Sequence, residues 1–221
     1  MATERETQGA AAILTEREIA QALLAIGAVT LRPDKPFTWS SGLRAPIYCD
    51  NRLLLAYPDL RAKVAAALAA SIGAQAGDVD VIAGTATAGI PHAAWVAARL
   101  KLPMVYVRAK AKDHGKQSRI EGHLLPGQRV AVIEDLVSTG GSSLAAAAAL
   151  REEGAHVVGV FAIFTYELPA AKQNFAAANV PLVALCRYAV LLDVARTDGR
   201  ISEDQLAVLR AWREAPERWG R

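Results

Sequence analysis

The sequence predicts an α/β fold in which a parallel β-sheet is flanked by helices. From Pro58 onward, short apolar runs alternate with segments of helical character. The apolar runs are continuous rather than alternating, which is typical of parallel strands covered by helices on both faces. We therefore expect an α/β core over residues 58–200. Residues 1–57 precede the core and contain an N-terminal helix and a small segment that we call the hood. Residues 201–221 form a C-terminal helix that packs on the core.

Length and composition narrow the class of protein. The chain has 221 residues, of which 52% are hydrophobic and 21% charged, and this composition excludes an intrinsically disordered chain. No apolar run reaches the roughly 18 residues of a membrane span, and residues 1–7 lack the basic flank and apolar core of a signal peptide. Cys49 and Cys186 cannot form a disulfide framework, so we predict two ordinary thiols in a cytoplasmic protein.

The elements can be predicted in chain order. The first helix begins after Thr15, because Glu18 lies three residues on and completes a capping box, and Gly27 is a typical helix stop. The predicted core strands are 79–83, 103–107, 129–133, 156–163 and a short one near 183–185, and the helices between them are 58–73, 90–100, 141–153 and 168–178. A polar stretch without apolar period covers 109–127.

A final helix is predicted from Ser202 to about Arg213, with Ser202 as its cap and Gln205 three residues later. We expect it to pack against the sheet or a partner subunit. Its basic residues are interleaved with acids, which is typical of a solvated helix face, and the net charge of +3 is too small to indicate nucleic-acid binding. The residues concerned are Arg210, Arg213, Arg218 and Arg221 with Glu214 and Glu217.

Ligands of such sheets bind beyond the carboxyl ends of the strands, in the loops that lead into helices. The loop at 134–143 has the most distinctive chemistry. The apolar strand before it ends in Glu134 and Asp135, and a Thr-Gly-Gly-Ser turn then opens a helix. Backbone N–H groups at a helix N-terminus bind anions, whereas paired carboxylates suit hydroxyl groups or a hydrated divalent cation. The pattern therefore predicts a ribose 5-phosphate site, with phosphate bound by Ser138, Thr139, Gly140, Gly141 and Ser142.

This segment is neither a Walker loop nor a GxGxxG fingerprint. It resembles the 5-phosphoribosyl-1-diphosphate (PRPP) motif of type I phosphoribosyltransferases, which has apolar residues, two acids, a short gap and Thr-Gly-Gly-Ser. The alternative is a capped strand-to-helix turn with solvated acids.

Gly84-Thr-Ala-Thr-Ala-Gly-Ile-Pro91 follows the 79–83 strand, and its small residues let a charged group approach the backbone. The resemblance implies that this loop holds pyrophosphate, through Thr85 and Ala86. The alternative is a tight turn that serves helix packing. His92 is predicted to lie in or next to the core rather than to act as a catalyst.

The polar stretch after the 103–107 strand carries four cations and a histidine within nine residues: Arg108, Lys110, Lys112, His114 and Lys116. A charge run is usually a solvated face. Here it follows a core strand, contains glycines and is long for a structureless loop, which favours a mobile lid that binds pyrophosphate.

The segment Phe37-Thr-Trp-Ser-Ser-Gly-Leu-Arg-Ala-Pro-Ile-Tyr-Cys-Asp50 resembles the signature Phe-Thr-x-x-Ser-Gly-x-x-x-Pro-x-Tyr-x-Asp of the orotate phosphoribosyltransferase family. The resemblance implies that orotate is bound by Ser41, Gly42, Ile47, Tyr48 and Thr139. The chain departs from parts of that family at three places: Ser40 and Ala88 stand where some members have lysine, and no arginine follows the 156–163 strand. The orotate carboxylate would then meet backbone N–H groups near 45–48, or Arg44.

The resemblance implies transfer of the phosphoribosyl group from PRPP to orotate in pyrimidine synthesis, with Lys112, His114 and Asp135 as catalytic residues. It further implies a Mg²⁺ cofactor held by Glu134 and Asp135 through water, and a homodimer with shared active sites. Ser138 stands where 6-oxopurine transferases have an aspartate base, which points away from those substrates. Two alternatives stay open: a transferase for another base, and a PRPP-sensing regulator that binds nucleic acid. No membrane or nucleic-acid partner is expected.

Overall fold

The computed structural model describes residues 13–39, 42–110 and 118–219. Before the core lie α1 (Glu16–Ala25), β1 (Val29–Leu31), β2 (Phe37–Thr38), β3 (Arg44–Ala45), β4 (Ile47–Cys49) and a 3₁₀ helix (Asn51–Ala56). The core comprises α2 (Pro58–Ala76), β5 (Val81–Thr85), α3 (Gly89–Leu100), β6 (Met104–Val107), β7 (Ile120–Glu121), β8 (Arg129–Val137), α4 (Gly141–Glu152), β9 (His156–Thr165), α5 (Pro169–Ala177) and β10 (Leu182–Arg187). The last two helices are α6 (Tyr188–Thr197) and α7 (Glu203–Glu214).

The core sheet confirms the predicted α/β class. Its six strands run in the order β10-β9-β8-β5-β6-β7, and all neighbours are parallel except the β6–β7 pair. Along β5, Val81 and Ala83 point into one buried cluster and Ile82 into the other. Both faces of the strand are therefore covered, which is the physical reason for its uninterrupted apolar sequence.

The two faces of the sheet carry different helices. Buried side chains of α1, α2, α3, α6 and α7 share one cluster, and those of α4 and α5 share the other. The first cluster draws on all three predicted segments, from Ile19 in α1 to Trp212 in α7. The domain boundaries at 57 and 200 stay predictions. No helix in the described part of the chain has the length and apolar character needed to cross a membrane.

The capping predictions are confirmed. Thr15 and Glu18 form a capping box at the start of α1, and Ser202 and Gln205 form one at the start of α7. Gly27 follows the end of α1 with a φ of +74°, a conformation that glycine adopts without strain.

Three features differ from the predicted elements. Strand β8 continues to Val137, so the two acids lie within the strand and not at its end. The polar stretch 109–127 contains a short strand, β7, which pairs antiparallel with β6. Helix α6 was not predicted, because its apolar residues follow β10 without an intervening turn signal.

The hood is built from two antiparallel strand pairs, β1 with β4 and β2 with β3. These strands are two or three residues long and gain stability only by packing against the rest of the protein. Cys49 and Ile47 of β4 are buried in the same cluster as α1 and α2, which anchors the hood to the core.

The C-terminal helix packs against both the sheet and the hood. Trp212 of α7 is fully buried, with its ring centroid 5.7 Å from those of Trp39 in the hood and Tyr166 after β9. The hydroxyl of Tyr188 in α6 donates to the carbonyl of Leu209 in α7 at 3.0 Å. Within the subunit, α7 therefore packs against α6, the hood and the residues that follow β9.

Replacing Trp212 with alanine should lower the free energy of unfolding by about 3–5 kcal/mol, because it leaves a large cavity among buried aromatic rings. Chemical denaturation of the two proteins measures the difference. Val208→Ala on the exposed side of the same helix is the control and should change stability by less than about 0.5 kcal/mol. Equal effects of the two substitutions would contradict the packing role of α7.

Candidate active site

The two acids lie near the centre of the sheet, on the strand between β9 and β5. The pairing of β8 with β5 stops at Ile133 opposite Gly84, whereas its pairing with β9 continues to Val137 opposite Thr165. Strand β8 therefore projects past β5 at its carboxyl end. Glu134 and Asp135 are the first two residues of this projection, which lies at the edge of the sheet where ligands of parallel sheets bind.

Glu134 is buried and connects the strand to the turn that follows it. It is 4% exposed, its Oε2 accepts from the Ser142 hydroxyl at 2.9 Å, and its Oε1 accepts from the Asp135 N–H at 3.2 Å. Asp135 is half-buried. Ser142 was predicted as a phosphate ligand, and in the structure its hydroxyl is directed to Glu134.

Burial raises the pKa of both carboxyl groups, and the charge of Asp135 adds to the effect on Glu134. Hydroxyl donors or a cation beside these acids would offset the cost of ionising them in this environment. In the ranges that the structure describes, no group of three or more His, Cys, Asp or Glu side chains could hold a metal. Two adjacent carboxylates fit a hydrated divalent cation such as Mg²⁺, which keeps most of its water ligands.

The Thr-Gly-Gly-Ser turn brings the N-terminus of α4 next to the acids. Gly140 is the N-cap, with a φ of +85°, and a Cβ at this position would collide with the ring of Phe175 in α5. Asn174, also in α5, donates from its Nδ2 to the carbonyl of Thr139 at 3.0 Å. Helix α5 thus holds the turn in place, and glycine is the residue that permits the close contact.

The loop after β5 lies beside the turn because β5 and β8 are neighbours. Thr85 is buried, and no partner for its Oγ1 is found among the described residues. The Ala86 N–H donates to the carbonyl of Val107 at 3.0 Å, and the Ala86–Thr87 peptide bond is cis. A Cβ on Gly89 would lie 2.6 Å from the carbonyl oxygen of Ile133. The small residues of this loop allow α3 to start directly against β8.

The polar stretch leaves and re-enters the sheet at neighbouring points. The Arg108 N–H donates to the carbonyl of Arg119 at 2.8 Å, and the Arg108 guanidinium lies 3.5 Å from Glu121. Of the predicted lid cations, Arg108 and Lys110 are described. Lys112 and His114, also predicted to bind pyrophosphate, lie outside the described residues.

The hood presents the segment predicted to bind orotate. The Trp39 indole donates to the carbonyl of Ile47 at 3.1 Å, Ile47 is buried, and Tyr48 is exposed. Gly42 is exposed with a φ of +82°. Ser41, also predicted to bind orotate, lies outside the described residues. Trp39 also stacks obliquely on Tyr166, with ring centroids 5.1 Å apart.

Asn51 connects the hood to the acids, and it is not among the site residues predicted from the sequence. It is fully buried, and its Nδ2 donates to the backbone carbonyl of Asp135 at 2.6 Å. No sequence signal marks this contact, because Asn51 lies in an ordinary polar pair before an apolar run and its partner is 84 residues away.

A cavity of about 610 Å³ lies elsewhere, between α5 and the edge strand β10. Its lining includes Thr165, Phe175 and Arg213, and none of the predicted site residues. We therefore take the end of β8, and not this cavity, as the candidate active site.

Comparison with known proteins assigns the class first. The family model of the phosphoribosyl transferase domain matches residues 54–176, more than half of the chain. The chain belongs to the phosphoribosyltransferase family.

Individual relatives show which phosphoribosyltransferases this chain is similar to. An orotate phosphoribosyltransferase of Bacillus caldolyticus is 60% identical over 93% of this chain and 99% of its own length. The structure of orotate phosphoribosyltransferase from Aeropyrum pernix superposes with a TM-score of 0.72 at 30% identity, covering 83% of this chain and 99% of the other. The Mycobacterium tuberculosis enzyme of the same name, solved in complex with PRPP, has a TM-score of 0.61 at 26% identity, covering 80% and 98%. Within its family, the chain belongs with the orotate phosphoribosyltransferases.

His92 lies in α3 as a buried histidine, as predicted, at 1% exposure and edge-on to Trp95. Burial lowers its pKa to about 4, below the roughly 6.5 of an exposed histidine. The unfolded chain therefore takes up the proton more readily than the folded chain. The contribution of neutral His92 to the free energy of unfolding is therefore fully present above about pH 6.5, and it is lost as the pH falls towards 4.

Between pH 7.5 and pH 5, His92 should account for a loss of about 2 kcal/mol in the free energy of unfolding. Denaturation curves at both pH values should show a shallower pH dependence for His92→Leu than for the unchanged protein. His156→Leu, at an exposed position, is the control. If His92→Leu retains the full pH dependence, His92 is not the source.

Proposed function

We propose that this chain transfers the 5-phosphoribosyl group from PRPP to orotate, giving orotidine 5′-phosphate and pyrophosphate in pyrimidine (UMP) biosynthesis. One observation carries the proposal: two adjacent carboxylates and a glycine-bearing helix N-terminus share the end of β8, and Ser142 connects them. Such a pair of sites matches the hydroxyl groups and the phosphate of one ribose 5-phosphate.

Each part of PRPP has a matching group of residues. The 5-phosphate is bound at the start of α4, by Ser138, Thr139, Gly140, Gly141 and Ser142. Glu134 and Asp135 hold the ribose hydroxyls. The pyrophosphate is bound by Thr85, Ala86, Arg108, Lys110, Lys112 and His114, from the loop after β5 and from the polar stretch between β6 and β7, which closes as a lid.

Orotate is bound by the hood, through Ser41, Gly42, Ile47 and Tyr48, together with Thr139. No arginine follows β9, and Tyr166 stands there and packs on Trp39. The orotate carboxylate is therefore assigned to backbone N–H groups near 45–48 or to Arg44. The aromatic contact holds the hood over the end of β9.

In the reaction the bond from ribose C1 to pyrophosphate oxygen breaks, C1 gains oxocarbenium character, and orotate nitrogen bonds to C1. Stabilisation of the departing pyrophosphate and alignment of the two reactants supply the catalysis. Lys112 meets the leaving group, and His114 and Asp135 assist at the reacting centre. Ser138 cannot act as a strong base, and orotate needs none, because its ring nitrogen carries an acidic proton that is lost to solvent.

Glu134 and Asp135 are the residues that would hold Mg²⁺, through water. When bound, the ion would neutralise negative charge on the pyrophosphate. The support for this assignment is the chemistry of the buried Glu134 and the half-buried Asp135, whose ionisation a cation would favour.

We propose a homodimer with shared active sites. Its support is a group of exposed apolar side chains where the hood meets α2, namely Tyr48, Leu53, Leu55 and Tyr57. Exposed large apolar side chains concentrated within one short stretch of the chain, residues 48–57, favour a contact with another protein surface. The cytoplasmic location stays a prediction.

The direct test of the proposed function is the loss of orotate absorbance with PRPP and Mg²⁺. We expect turnover that a chelator abolishes. Hypoxanthine, guanine and adenine, tested with the same protein, should not be converted. Turnover of a purine without turnover of orotate would assign the chain to another base, and a salt-sensitive gel shift without turnover would assign it to the regulators.

Lys112→Ala should lower kcat about 100-fold, equivalent to about 2.7 kcal/mol of transition-state stabilisation. Lys172→Ala, at an exposed lysine of α5, is the control and should leave kcat unchanged. An unchanged kcat for Lys112→Ala would remove this residue from the mechanism.

Mixing Lys112→Ala chains with Asp135→Asn chains tests whether active sites are shared. If one subunit closes its lid over the other, a mixed dimer contains one site with both residues intact and recovers part of the activity. Absence of recovery in a proven mixed dimer would show that each lid serves its own subunit.

A further inference from the structure

The inference concerns Asn51, and it rests on the proposed function. Asn51 is the first residue of the 3₁₀ helix that follows β4, and its side chain is fully buried. A buried amide without hydrogen bonds would cost several kcal/mol, so its partners show what keeps it there. One partner belongs to the hood and the other to the strand that carries the acids.

The first partner is Asp135. The Asn51 Nδ2 donates to the backbone carbonyl oxygen of Asp135 at 2.6 Å. This carbonyl lies on the part of β8 that projects past the last β5 pair, Gly84 with Ile133. The Asn51 amide therefore binds β8 beyond the last residue that pairs with β5. It holds the backbone of Asp135, the acid proposed to bind ribose.

The second partner is Cys49, the last residue of β4. Its Sγ donates to the Asn51 Oδ1 at 3.4 Å. Cys49 is buried, and burial raises the pKa of its thiol well above the ordinary value, so the thiol keeps the proton that it donates. Strand β4 also carries Ile47 and Tyr48, so the chain of hydrogen bonds runs from the orotate-binding strand through Asn51 to Asp135.

We propose that Asn51 is a positioning residue that sets the distance between the hood, with its orotate, and the acids that hold the ribose of PRPP. Asn51 is not among the residues assigned to either substrate. Removing its amide therefore leaves those binding residues unchanged and alters only the relative position of the hood and the acids. A displacement of about 1 Å between reacting groups can cost about 100-fold in rate.

Asn51→Ala should therefore lower kcat about 100-fold, while the dissociation constants for orotate and for Mg²⁺-PRPP, measured separately by calorimetry, change less than about threefold. The melting temperature is recorded for every variant. A loss of kcat with intact binding is the result that a purely structural defect would not produce, because general loosening of the fold weakens binding as well.

Asn174→Ala is the matched comparison. It removes the same type of bond, from an asparagine amide to the backbone carbonyl of Thr139, but within the phosphate half-site. We expect it to weaken Mg²⁺-PRPP binding and to leave kcat at saturating PRPP near that of the unchanged protein. If the two variants change kcat and the dissociation constant for Mg²⁺-PRPP in the same way, the proposed positioning role of Asn51 is wrong.

Asn51→Asp covers the case in which Asn51→Ala does not fold. It preserves size and the bond from Cys49 but replaces the donor to Asp135 with an acceptor, and it should reproduce the loss of kcat. Activity equal to that of the unchanged protein in either variant would overturn the proposal. Absence of orotate turnover in the unchanged protein would instead overturn the proposed function, so the two failures are distinguishable.

Discussion

The active site depends on the burial of Glu134 beside the first turn of α4. Burying an ionised carboxyl group at 4% exposure is costly. Hydrogen bonds from the Ser142 hydroxyl and the Asp135 N–H offset part of this cost, and burial still raises the pKa of Glu134. The same bonds tie the end of β8 to the start of the next helix. The positive end of that helix and the paired acids are thus held side by side, as the proposed binding of an anion and hydroxyl groups at one site requires.

Close packing around this point constrains the neighbouring loops. Gly89 brings α3 against the backbone of β8, and Gly140 brings the turn against Phe175 of α5. A side chain at either position would meet backbone or ring atoms and displace the loop it belongs to. The small residues of these loops therefore allow helices to dock closely on the sheet, next to the residues proposed to bind PRPP.

The hood is held from two directions. Asn51 binds it to β8, and the rings of Trp39, Tyr166 and Trp212 pack it against β9 and the C-terminal helix. Its own strands are too short to be stable alone. The position of the segment proposed to bind orotate is consequently a property of the whole fold. The C-terminal helix, which carries none of the proposed site residues, contributes to it.

Local sequence determined a large part of this protein. The capping boxes at Thr15 and Ser202, the alternation of strands with helices and the two acids before a Thr-Gly-Gly-Ser turn depend on residues within a few positions of one another, and each was predictable. The roles of Lys112, His114 and Ser41 stay predictions from the family resemblance.

Only the tertiary structure decided how far β8 extends, where the sheet turns antiparallel at β7, and that α6 follows β10 directly. It also decided that Asn51 meets Asp135 across 84 positions and that Trp212 lies against Trp39. The physical reason is the same in each case: these features arise from contacts between residues distant in the chain, and a polar or aromatic residue carries no local mark of the partner it will meet on folding.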